Sequence, residues 1–72
     1  MMYIVLLLLT KGASIEAIDN SNHTPLHHAV RNCQTNTVRL LLTKGASIEA
    51  AGNDSETPLH FAAQNGAWWS YF

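Results

Sequence analysis

The chain has 72 residues, of which 47% are hydrophobic and 12% are charged, and its formal net charge is −1. A chain of this size buries only about 60% of its unfolded surface, so it holds one small domain. The near-neutral charge gives no electrostatic basis for binding nucleic acid or an anionic membrane. The single cysteine, Cys33, excludes an internal disulfide and is typical of a protein from a reducing compartment.

The chain opens with a hydrophobic run, Met1 to Leu9, followed by Thr-Lys-Gly. This run is too short to span a bilayer, which takes about 20 residues. It also lacks the preceding basic residues and the following small-residue cleavage site of a signal peptide. Its end, VLLLLTKG, recurs as VRLLLTKG at 38–45, inside the chain where no signal peptide can lie. The run is therefore interpreted as a helix that ends at Gly12, a residue suited to a left-handed C-cap.

The next segment, ASIEAIDNSNH at 13–23, is rich in turn-forming residues. Ile15 is expected to be its buried residue, and the Asp, Asn and Ser residues that follow predict a turn or short hairpin. A second copy, ASIEAAGNDSE at 46–56, carries Ile48 in the corresponding place. The two segments are therefore expected to form similar turns.

A short helix is predicted after each turn. In TPLHHAVRN, Thr24 is a good N-cap, because its hydroxyl can accept a hydrogen bond from a free first-turn N–H. Pro25 then occupies the first helical position, where its missing N–H is not needed. Leu26, Ala29 and Val30 form a narrow hydrophobic stripe at helical spacing. The segment TPLHFAAQN repeats this pattern with Thr57, Pro58, Leu59, Ala62 and Ala63.

The segment TNTVRLLLTKG is predicted to form another helix behind the first one. Val38, Leu41 and Leu42 share one face of this helix, whereas Arg39 can point to water. We expect the helix to end at Gly45, which is again suited to a left-handed C-cap.

These elements recur with a period of 33 residues. When residues 1–39 are aligned with residues 34–72, 19 of the 39 pairs are identical. Ten consecutive residues, LLTKGASIEA, stand unchanged at 8–17 and at 41–50. Self-similarity at a period of roughly 20–50 residues indicates a repeat array.

A 33-residue unit that opens one helix with TPLH and closes the next with LLL before Gly-Ala resembles the ankyrin repeat. The closing glycines are Gly12 and Gly45, and the opening motifs are Thr24, Pro25, Leu26 and His27, then Thr57, Pro58, Leu59 and His60. The resemblance implies an all-α repeat fold, an ankyrin-type solenoid of stacked helix pairs with projecting hairpin loops. It also implies that His27 and His60 bond the neighbouring Thr hydroxyl and the backbone of the next repeat.

On this resemblance the chain is a single repeat segment. Residues 1–12 are the second helix of a truncated repeat, 13–45 are a hairpin with a complete helix pair, and 46–66 are a hairpin with a first helix. Residues 67–72 form an atypical tail, whose aromatic residues either cover the end of the last helix or anchor a partner. Arrays of this kind need about three repeats and polar caps, so we expect a fragment of a longer array.

Several turn positions depart from the family pattern. Asn22 and Ser55 stand where the family has Gly before TPLH, and Asn tolerates a left-handed backbone better than Ser. Cys33 replaces the Gly between the two helices of the middle repeat, which predicts strain there, whereas Gly66 keeps it.

Other departures concern packing. Thr35 and Thr37 replace larger apolar residues, which predicts an under-packed middle repeat. Leu6 aligns with an arginine and is expected to be an exposed apolar side chain. Asp19, the expected turn acid, is replaced by Gly52 in the next copy.

No residue is predicted to be catalytic, to bind a metal or to hold a cofactor. His23 and His27 are four residues apart and near Cys33, but no fourth ligand has metal-site spacing. Cys33 as a nucleophile would need a base and an oxyanion pocket, and its neighbours Asn32 and Gln34 offer neither. No Gly-rich phosphate-binding loop is present.

The sequence therefore favours a non-enzymatic protein-protein interaction module, which presents its hairpin tips and first-helix faces to a protein partner. Partner contacts are predicted at outward polar residues, namely Asn20, Ser21, His23, Arg31, Asn53, Asp54, Glu56 and Gln64. Simple solvent exposure explains each of these residues equally well. Neither nucleic acid nor a membrane is expected as a partner, and the expected location is intracellular, cytoplasmic or nuclear.

Two alternatives stay open. The segment can be a structural spacer in a longer multi-repeat protein, with no binding role of its own, because a fold does not decide function. It can also be a membrane-associated peptide that uses Met1–Leu9 and the aromatic tail.

Overall fold

A computed structural model describes residues 2–65 of the chain. Over these residues the chain forms four short helices and no β-strand, namely α1 (Met2–Thr10), α2 (Pro25–Arg31), α3 (Thr35–Thr43) and α4 (Pro58–Gln64). The predicted all-α fold is thereby confirmed. The predicted link glycine, Gly66, and the aromatic tail at 67–72 lie outside the described residues.

The helices stack in two layers. α2 packs against α3, its partner in the same repeat, and against α4, the first helix of the next repeat. α1 packs against α3. First helices therefore lie against first helices and second helices against second helices, which is the arrangement of a solenoid.

The core follows the hydrophobic stripe of α2. Leu26, Ala29 and Val30 are all buried there, as their helical spacing predicted. Leu41 of α3 and Phe61 of α4 complete the core from the two neighbouring helices. Full burial of one large apolar side chain stabilises a fold by about 1.5–3 kcal/mol, so this small cluster supplies most of the hydrophobic stabilisation.

Some apolar residues that the repeat pattern predicts to be buried lie at the surface. Leu59 and Ile48 are exposed, although their counterparts Leu26 and Ile15 are buried and half-buried. Ala63 is exposed as well. The prediction was wrong because burial in a solenoid comes from the following repeat, and none of residues 2–65 covers the outer side of α4.

The exposed face of α1 also differs from the prediction. Leu6 is half-buried, whereas Tyr3, Ile4, Leu7 and Leu8 are the exposed large hydrophobic residues of this helix. α3 is the helix against which α1 packs in the described part of the chain, so the position of α3 decides which face of α1 meets solvent.

Both first helices begin at the predicted N-cap. Thr24 Oγ1 accepts a hydrogen bond from the His27 N–H at 3.4 Å, and His27 Nδ1 accepts one from the Thr24 N–H at 2.9 Å. Pro25 occupies the first helical position. The same reciprocal capping joins Thr57 and His60 at the start of α4. Two first-turn N–H groups that the helix leaves unpaired are thus satisfied at each start.

Both second helices end at the predicted glycine. Gly12 and Gly45 have φ values of +99° and +95°, in the left-handed region that favours glycine. The following residue in each copy donates its N–H to the carbonyl four residues before the glycine at 3.0 Å, Ala13 to Leu8 and Ala46 to Leu41. The identical residues around each glycine therefore build the same helix end twice.

Three residues other than glycine also have left-handed backbones. They are Asn22 (φ +61°), Cys33 (φ +56°) and Ser55 (φ +61°), the positions at which glycine is missing from the repeat pattern. This conformation costs an L-residue roughly 1–2 kcal/mol, and Asn tolerates it best. A cavity of about 30 Å³ lies beside the strained link, lined by Val30, Cys33, Thr35 and Val38.

Replacing Ser55 should test the backbone strain. Ser55→Gly is expected to raise the free energy of unfolding by about 0.5–1 kcal/mol, because relief of the left-handed strain exceeds the added freedom of the unfolded chain. The measurement is urea unfolding followed by far-UV circular dichroism. Ser55→Ala keeps the strain and is the matched control, so equal stabilisation by both variants would contradict the explanation.

Candidate functional site

The His27 imidazole joins α2 to the following repeat. The side chain is fully buried, with 0% of its surface exposed. Nδ1 accepts the Thr24 N–H, so the ring hydrogen lies on Nε2, which donates to the carbonyl oxygen of Glu56 at 2.7 Å. One side chain thus holds the start of α2 and a carbonyl of the second turn in a fixed relation.

Two tight turns, the first tip (residues 19–23) and the second tip (residues 52–56), lie side by side. Each tip is closed by its own backbone, with Asp19 N–H donating to His23 O at 3.1 Å and Gly52 N–H donating to Glu56 O at 2.9 Å. Between the tips, the Asn53 N–H donates to Ser21 O at 3.0 Å.

The Asn53 side chain strengthens this contact. Its Oδ1 accepts from Asn22 Nδ2 at 2.6 Å, and its Nδ2 lies 3.4 Å from Asn20 O. Asn53 is exposed, as predicted, but its amide is engaged in holding the tips together. The two tips therefore present one continuous surface.

Asp19 organises the first tip. Its Oδ1 accepts from the Ser21 N–H at 2.8 Å and from the His23 N–H at 3.0 Å, and its Oδ2 lies 2.7 Å from His28 Nε2. The His23 N–H is the main cause that lowers the pKa of Asp19 to about 2, and the contacts with His28 and Ser21 lower it further against a smaller opposing effect of desolvation. The Asp19–His28 pair was not predicted, although an Asp that starts a turn is a signal for the backbone part of this arrangement.

His23 was predicted to face a partner, but it is buried, with 8% of its surface exposed. Its Nε2 lies 3.1 Å from Glu56 Oε1, and its ring packs edge-on against Phe61 with 4.9 Å between ring centres. Gly52 is the physical reason, because a Cβ there would overlap the imidazole, with Nε2 at 2.7 Å. The ring occupies the space that a side chain at position 52 would fill.

Arg31 and Glu56, which were also predicted as contacts, belong to the same arrangement. Arg31 Nη2 lies 3.4 Å from His23 Nδ1, and its guanidinium carbon lies 4.6 Å from the centre of the Phe61 ring. A guanidinium over an aromatic face at this distance forms a cation–π contact. His23, Arg31 and Glu56 form the His23 cluster, which ties α2 to α4 and to the second tip rather than reaching outward.

Four predicted contact residues keep side chains that face solvent. Asn20, Ser21, Asp54 and Gln64 are exposed, and their side chains make no hydrogen bond to another part of residues 2–65. The structure brings Asn20, Ser21 and Asp54 together on the paired tips. Gln64 lies at the end of α4, and no contact joins it to the tips in the described region.

Other kinds of site are not found in this part of the chain. Among residues 2–65, no three His, Cys, Asp or Glu side chains are placed to hold a metal ion. No helix within the same range is long and apolar enough to cross a membrane. Cys33 is a half-buried free thiol in the link between α2 and α3.

A family model described as ankyrin repeats, in three copies, matches residues 2–69 of the chain. No curated protein matches the chain significantly. The family match spans all four helices and both tips.

The fit between Gly52 and His23 generates a stability prediction. Gly52→Ala is expected to lower the free energy of unfolding by about 1–3 kcal/mol, because the added methyl group overlaps a buried ring that cannot move freely. The measurement is urea unfolding of wild type, Gly52→Ala, His23→Ala and the double variant. In the His23→Ala background the penalty of Gly52→Ala should nearly vanish, and an undiminished penalty would show that the ring is not its cause.

The low pKa of Asp19 generates a pH prediction. Its folded-state pKa of about 2 lies below the ordinary value of 3.8, so the unfolded chain binds more protons between these values. The contribution of this carboxylate is therefore complete above about pH 4 and is lost as the pH falls through about 2.

The urea midpoint of Asp19→Asn should fall less steeply over this pH range than that of wild type. Asp54→Asn, at an exposed position in the second tip, is the matched control and should follow the wild-type curve. Parallel curves for wild type and Asp19→Asn would refute the assignment.

Proposed function

We propose, since the chain belongs to the ankyrin repeat family, that it is a protein-protein interaction module whose paired tips contact a protein partner. Ankyrin repeats are generally modules of this kind, and the family is typically non-enzymatic. The proposed contact residues are Asn20, Ser21 and Asp54, flanked by the Asp19–His28 pair and, on α4, by Gln64.

The observation that carries this proposal is the rigid display of polar side chains on the tips. Backbone bonds close each tip, the Asn53 amide links the two tips, and the buried His27 ring anchors the second tip to α2. Side chains on a preformed surface lose little conformational freedom on binding, so more of their interaction energy appears as affinity. The His23 cluster and Asn53 support this surface from behind.

The proposed setting is inside the cell, in the cytoplasm or nucleus. Its support is the free thiol of Cys33, which suits a reducing compartment. A role as a mere spacer is the competing function, and it demands no partner at the tips.

Charge-matched variants can separate the two functions. The tip variant Asn20→Arg/Ser21→Arg changes two exposed side chains on the proposed surface. The control variant Asn36→Arg/Thr43→Arg adds the same charge to exposed positions of α3. Both variants should retain the helical circular dichroism of wild type.

Each protein is immobilised, incubated with cell extract, and its bound proteins are quantified by mass spectrometry. The affinity of the strongest recovered protein is then measured by calorimetry against all three chains. The tip variant should weaken binding by about tenfold or more, as expected for an interface centre, and the control should not. Equal binding by both variants would refute the tips as the contact surface, and no saturable binding would favour the spacer.

A further inference from the structure

The outer face of α1 exposes the residues that α3 buries. Leu8 is 56% exposed, whereas its counterpart 33 residues later, Leu41, is 1% exposed. Ile4 is likewise exposed, and its counterpart Thr37 is buried. The difference arises because α3 packs against both α1 and α2, whereas α1 packs against α3 alone among the described helices. α1 thus presents an unused copy of a packing face.

The opposite end of the structure shows the complementary pattern. Leu59 of α4 is 76% exposed, whereas its counterpart Leu26 is 2% exposed. Leu42 and Ile48 are also exposed, although their counterparts Leu9 and Ile15 are half-buried against the core. This end therefore presents an unused copy of the surface on which a second helix and its following turn lie.

Two grooves related by the repeat show the vacant position directly. The first groove, lined in part by Val5, Leu9 and Pro25, has a volume of about 160 Å³ and is lined on its far side by Leu41. The second groove, lined in part by the counterparts Val38, Leu42 and Pro58, has a volume of about 300 Å³. Within residues 2–65 nothing stands in the second groove where Leu41 stands in the first, and the chain holds a copy of Leu41 in Leu8.

We propose that copies of this chain associate head to tail, with α1 of one copy seated in the second groove of the next. There α1 packs against α4 and α3 of the receiving copy as α3 packs against α2 and α1 within one chain. The segments VLLLLTKG and VRLLLTKG are nearly identical, and α4 repeats the TPLH start of α2. The meeting faces are thus copies of faces that already pack together.

Polar contacts specify the register of this association. Within one chain, Glu16 Oε2 accepts from the Ser47 N–H at 2.8 Å, and in the proposed contact Glu49 accepts from the N–H of Ser14 of the second copy. Both pairs are Glu with Ser, because positions 16 and 49 and positions 14 and 47 are identical.

His60 supplies the second polar contact. Its Nδ1 accepts the Thr57 N–H at 3.0 Å, as Nδ1 of His27 does with Thr24, but His60 is exposed and its Nε2 has no acceptor in the described region. In the proposed contact this Nε2 donates to the carbonyl oxygen of His23 of the second copy, the counterpart of the Glu56 carbonyl.

The contact joins two different surfaces, so it leaves one free end of each kind after every addition. Contacts of this sort build open assemblies unless the rotation between copies closes a ring. Repeat units rotate only slightly from one to the next, so the expected product is an open array in which the tips of successive copies form one row. This association uses helix faces and is separate from the proposed binding by the tips.

The full chain is tested by sedimentation velocity over a wide range of protein concentration. The mass should rise with concentration beyond that of a dimer, and a monomer throughout the range would overturn the proposal. Two variants then block one surface each, Leu8→Glu on α1 and Leu59→Glu on the receiving groove. Both residues are exposed in the single chain, so circular dichroism should show unchanged helix content.

Each variant alone should be monomeric, and an equal mixture should form a heterodimer that grows no further. The reason is that Leu8→Glu keeps an intact groove and Leu59→Glu keeps an intact α1. Dimers of Leu59→Glu alone would mean that α1 pairs with another α1, and a monomeric mixture would mean that the groove is not the receptor, so either result overturns the proposal.

Tyr3→Glu is the matched control on α1. Tyr3 is exposed, and so is its counterpart Asn36, so this position lies outside the proposed contact and the variant should assemble as wild type does. Loss of assembly by Tyr3→Glu would point to a nonspecific hydrophobic contact instead. Leu8→Glu leaves the tips unchanged and should still bind a tip partner, so failure of one proposal is distinguishable from failure of the other.

Discussion

The imidazole of His27 makes the contacts on which the rest of the structure depends. Its Nδ1 completes the cap of α2, and its Nε2 holds the carbonyl of Glu56 from the following repeat. The ring has no exposed surface, and a buried polar group without a partner costs about 1–3 kcal/mol. His27 is therefore stable only where both Thr24 and the second tip are in place. The start of a helix and a turn 29 residues away thus form together, which couples neighbouring repeats that share little other polar contact.

The differences between the two copies are mostly explained by fit between the copies. Position 19 is Asp and position 52 is Gly, and position 23 is His and position 56 is Glu. His23 lies over Gly52 and reaches Glu56, so each of these changes accommodates another. Variation between repeats is therefore not by itself a sign of partner contact. The variable positions that remain, at Ser21, Asp54 and Gln64, are the ones whose side chains meet solvent.

The structure separates two kinds of surface by their chemistry. The paired tips are polar, closed by backbone hydrogen bonds and rigid, which suits selective contact with a folded partner. The two ends are apolar, and each matches the other through the repeat. Association through the ends would extend the row of tips without using any tip residue, because the stacking direction and the tip surface involve different elements. A solenoid has this property because each unit contacts only its neighbours along one axis.

The sequence by itself determined the features that depend on near neighbours in the chain. The period of 33 residues, the Thr caps, the glycine helix ends and the left-handed backbones at Asn22, Cys33 and Ser55 all follow from local hydrogen bonding and sterics. Tertiary structure alone decided what is covered. The same motif leaves Leu26 buried and Leu59 exposed, and an outward-looking His23 is buried because Gly52 leaves room for its ring. Burial depends on which atoms another repeat brings to the site, and that information lies outside the local sequence.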